Sequence, residues 1–217
     1  LYSSAASDVY KRQKKHYVIN NLNFQIHKGE ILGLVGRSGL GKTTISKTLL
    51  GIHKQYTGEV INKATYSQMV FQDPFSSLNP SKTIGWILEE PLKVREHMER
   101  DKRKETVEEM LVKVGLGKEF ARRKPAELSG GQRQRVSIAL ALIGGADFII
   151  ADEPVSALDV TIQAQILELL LSLQKEFGLS MLFISHDIHV IDKMCDRIIN
   201  ISVSYTHLRA HETEADL

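Results

Sequence analysis

The stretch "GRSGLGKT", Gly36 to Thr43, sets glycines, a lysine and a threonine at the spacing G-x-x-x-x-G-K-[ST]. Gly36, Gly39 and Gly41 keep side chains away, so that backbone N–H groups can converge on phosphate oxygens, with Ser38 inside the same loop. Lys42 supplies a positive charge for the β- and γ-phosphates of a nucleotide. Thr43 offers a hydroxyl to Mg²⁺ and Thr44 a further donor. Far downstream, "FIIADE", Phe148 to Glu153, is an apolar run that ends in two acids. Asp152 can hold the shell of a magnesium ion, often through water, and Glu153 is placed to polarise an attacking water as a general base. Taken alone, an acidic pair after a strand reads as a helix N-cap. In a chain that also carries a phosphate cradle it reads as the metal and base side of a triphosphatase.

These residues need rigid elements to bring them together. "ILGLVG" before the cradle is a buried strand by composition, and "ISKTLLGI" after it has one apolar helical face, so strand, glycine loop and helix follow in order. "YVINNLNFQI" alternates in the manner of a half-buried strand, and "GEVI" and "YSQMVF" read as two short ones. Ser81 to Gly115 changes character: "IGWILEEPL" and "KETVEEMLVKVGL" combine helical periodicity with heavy charge, which predicts a helical insertion. From Ser129 onward helices alternate with apolar strands, the pattern of a parallel sheet covered on both faces.

With 217 residues, 42% of them hydrophobic, the chain can bury a substantial core. Lys plus Arg at 28 against Asp plus Glu at 26 gives +2, too balanced to imply a nucleic-acid surface, and no nucleic-acid partner is expected. Cys195 is the sole cysteine, which excludes an intrachain disulfide and a cysteine-based metal cluster; it reads as a small buried filler. "IALALIGGA" is interrupted by Asp147 and falls short of the ~18 apolar residues that a spanning helix needs. The two ends have a different character. "SSAASDVYKRQ", Ser3 to Gln13, can be encoded by nucleotides whose reverse complement yields Val-Ser-Tyr-Thr-His, the residues at Val203 to His207. Such an inverted repeat, with "SYTHLRAHET" following, resembles translated sequencing-library adapter. Residues 1–13 and 203–217 are therefore expected to be foreign tails around a natural segment 14–202 that continues past both ends, and no function is attached to His207 or His211.

"LSGGQRQR", Leu128 to Arg135, is a second glycine turn that runs straight into an apolar helix. Followed by the strand ending "ADEP", "LSGGQ" resembles the signature motif of ATP-binding-cassette (ABC) proteins, and the resemblance covers nearly all of Lys14 to Ser202. In the family's order come "VFQDP" with the Gln72 loop, the cradle's partner acids, "SALD" ending in Asp159, and "ISHD" with the switch histidine His186. The resemblance implies an α/β fold of the P-loop NTPase class and ABC type: a mostly parallel sheet covered by helices, a small antiparallel β region, and a helical subdomain at about 81–145. It also implies that the cradle of one subunit faces the signature of another. Ser129, Gly130, Gly131 and Gln132, with Asp159, would then complete the partner's ATP site. Gln72 would join Thr43 and Asp152 at Mg²⁺ and couple the cycle to a membrane partner, while His186 would report on hydrolysis at Glu153.

"VFQDPFSSLNP", "EEPL" and "DEPVSALDVTIQAQILELL" are similar to the ATP-binding subunits of oligopeptide and dipeptide importers, whose relatives carry nickel or glutathione. The partners implied are a second ATPase subunit of the same or another kind, transmembrane permeases and, indirectly, an extracytoplasmic solute-binding protein, at the cytoplasmic face of the cell membrane. A cassette ATPase acting on ribosomes or nucleic acid is the alternative, though such proteins commonly pair two cassettes in one chain and this one has one cradle. "DPFSSLNP" is rich in turn formers and either presents Phe75 and Leu78 to a partner helix or tucks them under an ordinary loop. Leu140 and Ala146 stand where the family has arginine and proline, so the helix after the signature lacks a usual polar anchor. The adenine-stacking aromatic falls, by family spacing, near Gln13, so no adenine platform is placed; Tyr17 is a candidate that reads better as a strand-face core residue.

Overall fold

The computed structural model describes residues 2–11, 14–37, 39–73, 78–95, 98–201 and 206–210. A six-stranded sheet runs in the order β5 (Ser67–Val70), β6 (Phe148–Asp152), β7 (Ser180–Ser185), β3 (Ile31–Gly36), β8 (Arg197–Ile201), β9 (Thr206–Ala210). All pairings from β5 to β8 are parallel, and β9 alone is antiparallel. A smaller antiparallel sheet orders β2 (Lys14–Gln25), β1 (Tyr2–Lys11) and β4 (Tyr56–Ile61). β1 and β9 lie in the two segments expected to be foreign. β9 is an edge strand, whereas β1 lies between β2 and β4; backbone N–H and C=O groups pair whatever side chains they carry, so this pairing is open to any extended sequence.

Strand alternation divides the core between the two faces of the large sheet. Phe148 and Ile150 of β6 and Leu182 and Ile184 of β7 join one apolar cluster with Leu32, Leu34 and helix α1 (Lys42–Leu49). Ile149, Ala151, Met181 and Phe183 point the other way, into a larger cluster with the remaining helices. Burial on both faces explains why these strands read as continuous apolar runs. Cys195 fills this second layer: a Cβ on Gly33 would lie 2.9 Å from its Sγ, and burial pushes the thiol above its ordinary value.

The helical lobe follows from periodicity. Ile84, Ile87, Leu88 and Leu92 form a buried stripe on α2 (Ile84–Arg95), and Val107, Met110, Leu111 and Val114 do so along α3 (Arg100–Lys113) and its end. Leu78, at 2% exposure, belongs to the same cluster. Of the two readings open for Leu78, presented to a partner helix or tucked under its loop, the structure shows the second: beside the α2 stripe it is withdrawn from water. Phe75 lies outside the described residues. Helix α4 (Gly130–Ile143) enters the cluster through Val136, Ile138 and Ala139 and leads back to β6. Leu140 packs against the cluster and Ala146 is buried, so apolar contact replaces the family's polar anchor. Asp147 supplies a polar tie instead, its carboxylate accepting from the N–H groups of Thr65 and Tyr66, both at 2.9 Å. α5 (Val160–Phe177) and α6 (Ile188–Met194) complete the layers. No helix among the described residues is long and apolar enough to cross a membrane.

Candidate functional site

Parallel strands carry their carboxyl ends to one edge, and sequence order then decides which loops meet there. Val35 pairs with Ser185, Asp152 with Ile184, and Val70 with Ala151. The residues that follow these strand ends are the cradle, Glu153, His186 and Gln72. Ligands of open α/β sheets bind at such an edge.

The cradle begins at Gly36, where a Cβ would approach the Ile201 carbonyl to 2.9 Å, so a side chain is excluded by β8 as well as by any phosphate. Gly41 closes the loop with φ 84° as the N-cap of α1, a left-handed conformation natural to glycine. Lys42 is 7% exposed, and its Nζ donates to the carbonyls of Gly36 at 2.6 Å and Arg37 at 3.1 Å. A buried ammonium needs acceptors, and here the cradle supplies them from its own backbone. Thr43 is exposed and Thr44 half-buried on the first turn, while Ser38 lies outside the described residues. A cavity of about 490 Å³ opens beside the cradle, lined by Gly36, Arg37, Leu40, His186 and Ile201.

Across the edge, Thr43 Oγ1 donates to Asp152 Oδ2 at 3.1 Å. Burial pushes the Asp152 carboxyl above its ordinary value; the Thr43 bond opposes this, the Glu153 charge adds to it, and Lys42 and Lys47 oppose it. A buried carboxylate beside a hydroxyl is a hard-oxygen pair that suits Mg²⁺, an ion held by one or two carboxylates plus substrate phosphates. Such a site needs no protein cage, and among the described residues no cluster of three or more His, Cys, Asp or Glu is placed to form one. Gln72 is exposed in the loop after β5.

Glu153 is the one non-glycine residue among those described with positive φ, at 49°. Its N–H still donates to Ile184 O at 2.9 Å, extending the β6–β7 ladder, while the left-handed turn redirects its side chain. Glu153 Oε2 lies 3.3 Å from His186 Nδ1, with the carboxylate side chain 12% exposed and the imidazole 59%. The loop beyond is tied at both ends. Ser156 Oγ and N–H donate to Glu153 O at 3.1 and 3.3 Å, and Asp159 caps α5 by accepting from Ile162 N–H at 3.0 Å. Gln163 Nε2 donates to the carbonyls of Val155 and Leu158. Sequence reasoning did not single out Ser156 or Gln163. Their signal, polar residues flanking the turn after two acids, is ordinary for any helix start.

Ser129 and Gln132 form a capping box at the start of α4. Ser129 Oγ accepts from Gln132 N–H at 3.3 Å, and Gln132 Oε1 accepts from Ser129 N–H at 3.0 Å. Arg133 N–H goes to Ser129 O. The N–H groups of Gly130 and Gly131, which have no intrahelical acceptor in a first turn, stay available to an anion, and the Ser129 hydroxyl proton can donate outward. Tyr17 lies in β2 opposite Asp8; its side chain is outside the described residues.

A parallel sheet whose strand ends gather a glycine cradle, a Thr–Asp pair and a Glu–His pair defines a P-loop nucleotide-binding domain. A sequence model of the ABC transporter family matches residues 19–156, and the chain belongs to that family. It is 46% identical over 196 residues to the oligopeptide transport ATP-binding protein AppF of Bacillus subtilis (strain 168), covering 83% of this chain and 60% of that protein. It is 44% identical over 213 residues to OppF of the same organism, also an oligopeptide transport ATP-binding protein, covering 87% and 70%. The chain thus spans less than two thirds of AppF. Among solved structures, the dimeric post-hydrolysis state of the ATP-binding cassette MJ0796 bound to ADP and Pi is similar with TM-score 0.79 and 29% identity, over 95% of this chain and 97% of that one. CbiO1 from Clostridium perfringens shares the fold with TM-score 0.80 at 24% identity, over 95% and 87%.

Proposed function

We propose that this chain is the ATP-hydrolysing subunit of an importer of oligopeptides or dipeptides, working as a nucleotide-sandwich dimer on the cytoplasmic face of the cell membrane. The observation that carries the reading is the meeting, at one sheet edge, of the cradle, the Thr43–Asp152 contact at 3.1 Å and the Glu153–His186 contact at 3.3 Å. Lys42 exchanges its two backbone acceptors for β- and γ-phosphate oxygens, so nucleotide entry replaces bonds instead of exposing a bare cation. Thr43 and Asp152, joined by Gln72, would hold Mg²⁺, which when bound neutralises charge on the phosphates. Glu153 accepts the proton of the attacking water, and His186 orients its carboxylate. The N–H groups of Gly130 and Gly131, the Ser129 hydroxyl and Gln132 cap the nucleotide held by the other ATPase subunit. The dimeric state of MJ0796 with ADP and Pi supports that arrangement.

The transport branch is supported by the names of AppF and OppF. Permease subunits are the membrane partners, served by a solute-binding protein on the far side. The helical lobe offers them a cavity of about 720 Å³, lined among others by Trp86, Lys93, Arg103, Val107 and Arg122.

The test is ATP binding and hydrolysis by the full-length subunit in its reconstituted transporter. Lys42→Ala is expected to weaken ATP binding by ~100-fold or more, because it removes a buried charge partner of the phosphates. Glu153→Gln is expected to keep ATP affinity and lower turnover by roughly 10²- to 10⁴-fold, the worth of a positioned base. Peptide-loaded binding protein should stimulate the wild type only. Hydrolysis by Glu153→Gln at the wild-type rate would remove Glu153 as the base.

A further inference from the structure

The peptide-importer-like run "DEPVSALDVTIQAQILELL" contains a glutamine, Gln163, that neither phosphate chemistry nor membrane docking uses. It lies in the first turn of α5, half-buried, and its Nε2 donates to Val155 O at 3.0 Å and to Leu158 O at 2.9 Å. One amide thus staples both ends of the turn after Glu153 to a helix. Water could satisfy loop carbonyls at a surface, but only a donor fixed to an element also fixes the loop's position. Upstream, the turn is bonded to the Glu153 carbonyl through Ser156 at 3.1 and 3.3 Å. Downstream, it lies under the signature. A Cβ on Gly131 would meet Ile162 Cγ2 at 2.6 Å, and one on Gly130 would meet Leu158 Cδ2 at 3.4 Å. The signature glycines therefore rest on side chains that belong to the turn and to the first turn of α5.

We infer that Gln163 is a positioning residue that locks the Glu153–Asp159 turn to the Gly130–Gly131 turn, so that the two half-sites one subunit contributes move as one body. The inference rests on the composite-site reading proposed above. Glu153 acts on the nucleotide in its own cradle, whereas Gly130 and Gly131 cap the nucleotide of the other subunit. Removing the amide donor leaves Lys42 and Thr43 untouched, so nucleotide affinity persists. What suffers is the step that needs both half-sites aligned.

Two variants of nearly the same size separate the donor from bulk. Gln163→Glu replaces the donor by a carboxylate that faces two carbonyls, and protonation gives one O–H donor back. Gln163→Leu has no donor at any pH. In the full-length subunit assembled with its partners, both are expected to lower kcat roughly tenfold near pH 8 and to bring the Hill coefficient for ATP toward one, with ADP affinity within about twofold of wild type. Toward about pH 6 the ratio of Gln163→Glu to wild-type kcat should rise while that of Gln163→Leu stays flat, because a glutamic acid facing carbonyls titrates above its usual value. Wild-type kcat in both variants would overturn the inference. So would a fall in ADP affinity that matches the fall in kcat, with no pH rescue, since that describes a structural role only. A wild-type subunit that hydrolyses no ATP sinks the composite-site reading itself, and this inference with it.

Discussion

At the scale of single residues, the site is built by conformations and bonds that hold reactive groups ready. Glu153 carries the clearest cost, a left-handed backbone at φ 49° in a residue with a long side chain. Strain of this kind runs to about 1–3 kcal/mol and is found where a side chain must be aimed. Glu153→Gly is therefore expected to raise unfolding stability by about 1 kcal/mol, after allowing for glycine's extra freedom in the unfolded chain, while hydrolysis is lost. Denaturant melts of the two proteins check it; a variant less stable than the wild type would show that the His186 contact outweighs the strain. The residue types at the cradle and at Asp152–Glu153 were legible in the sequence because the phosphate and Mg²⁺ chemistry proposed for them restricts such sites to few choices. The positive φ was not, because glutamate carries no local mark of a left-handed turn. Nor could spacing tell that the Ser129 oxygen serves as a helix cap.

At the scale of elements, strand order explains the site better than any one motif does. β5, β6, β7 and β3 are neighbours in the sheet though distant in the chain, and each ends beside a functional loop. The alternation of helix and apolar strand announced a parallel sheet, and the charged 81–115 segment announced helices; both follow from periodicity and burial. Leu78 shows the limit of that reasoning, since an apolar residue among turn formers does not say which way it faces until the α2 stripe is placed beside it. The tie from Asp147, directly before β6, to Thr65 and Tyr66, directly before β5, gives an element-scale test. Burial works against the Asp147 charge, but the N–H groups of Tyr66 and Thr65 outweigh it and hold the carboxyl below its usual value. A depressed carboxylate stabilises the fold above its unfolded value, ~3.9, and loses that contribution as pH falls through the folded value. Asp147→Ala should cost about 1 kcal/mol at neutral pH, discounted for an exposed group, and the gap to wild type should close in acid. Melts at neutral and acid pH measure it; a gap that widens in acid would contradict the assignment.

At the scale of the whole molecule, the proposed function gives the chain two half-sites for phosphate. The cradle offers glycine-lined amides and Lys42, and the start of α4 offers the N–H groups of Gly130 and Gly131, which its own capping box leaves over. A second ATPase subunit, identical or not, would complete both. The signature glycines pack against Leu158 and Ile162, the contact through which the proposed coupling between the two half-sites would run. The decisive measurement is a structure of the full-length transporter carrying Glu153→Gln and loaded with MgATP. Each triphosphate should lie between residues 36–44 of one ATPase subunit and residues 129–132 of the other. Nucleotides enclosed by a lone polypeptide, with Ser129, Gly130 and Gly131 remote from every phosphate, would contradict the account.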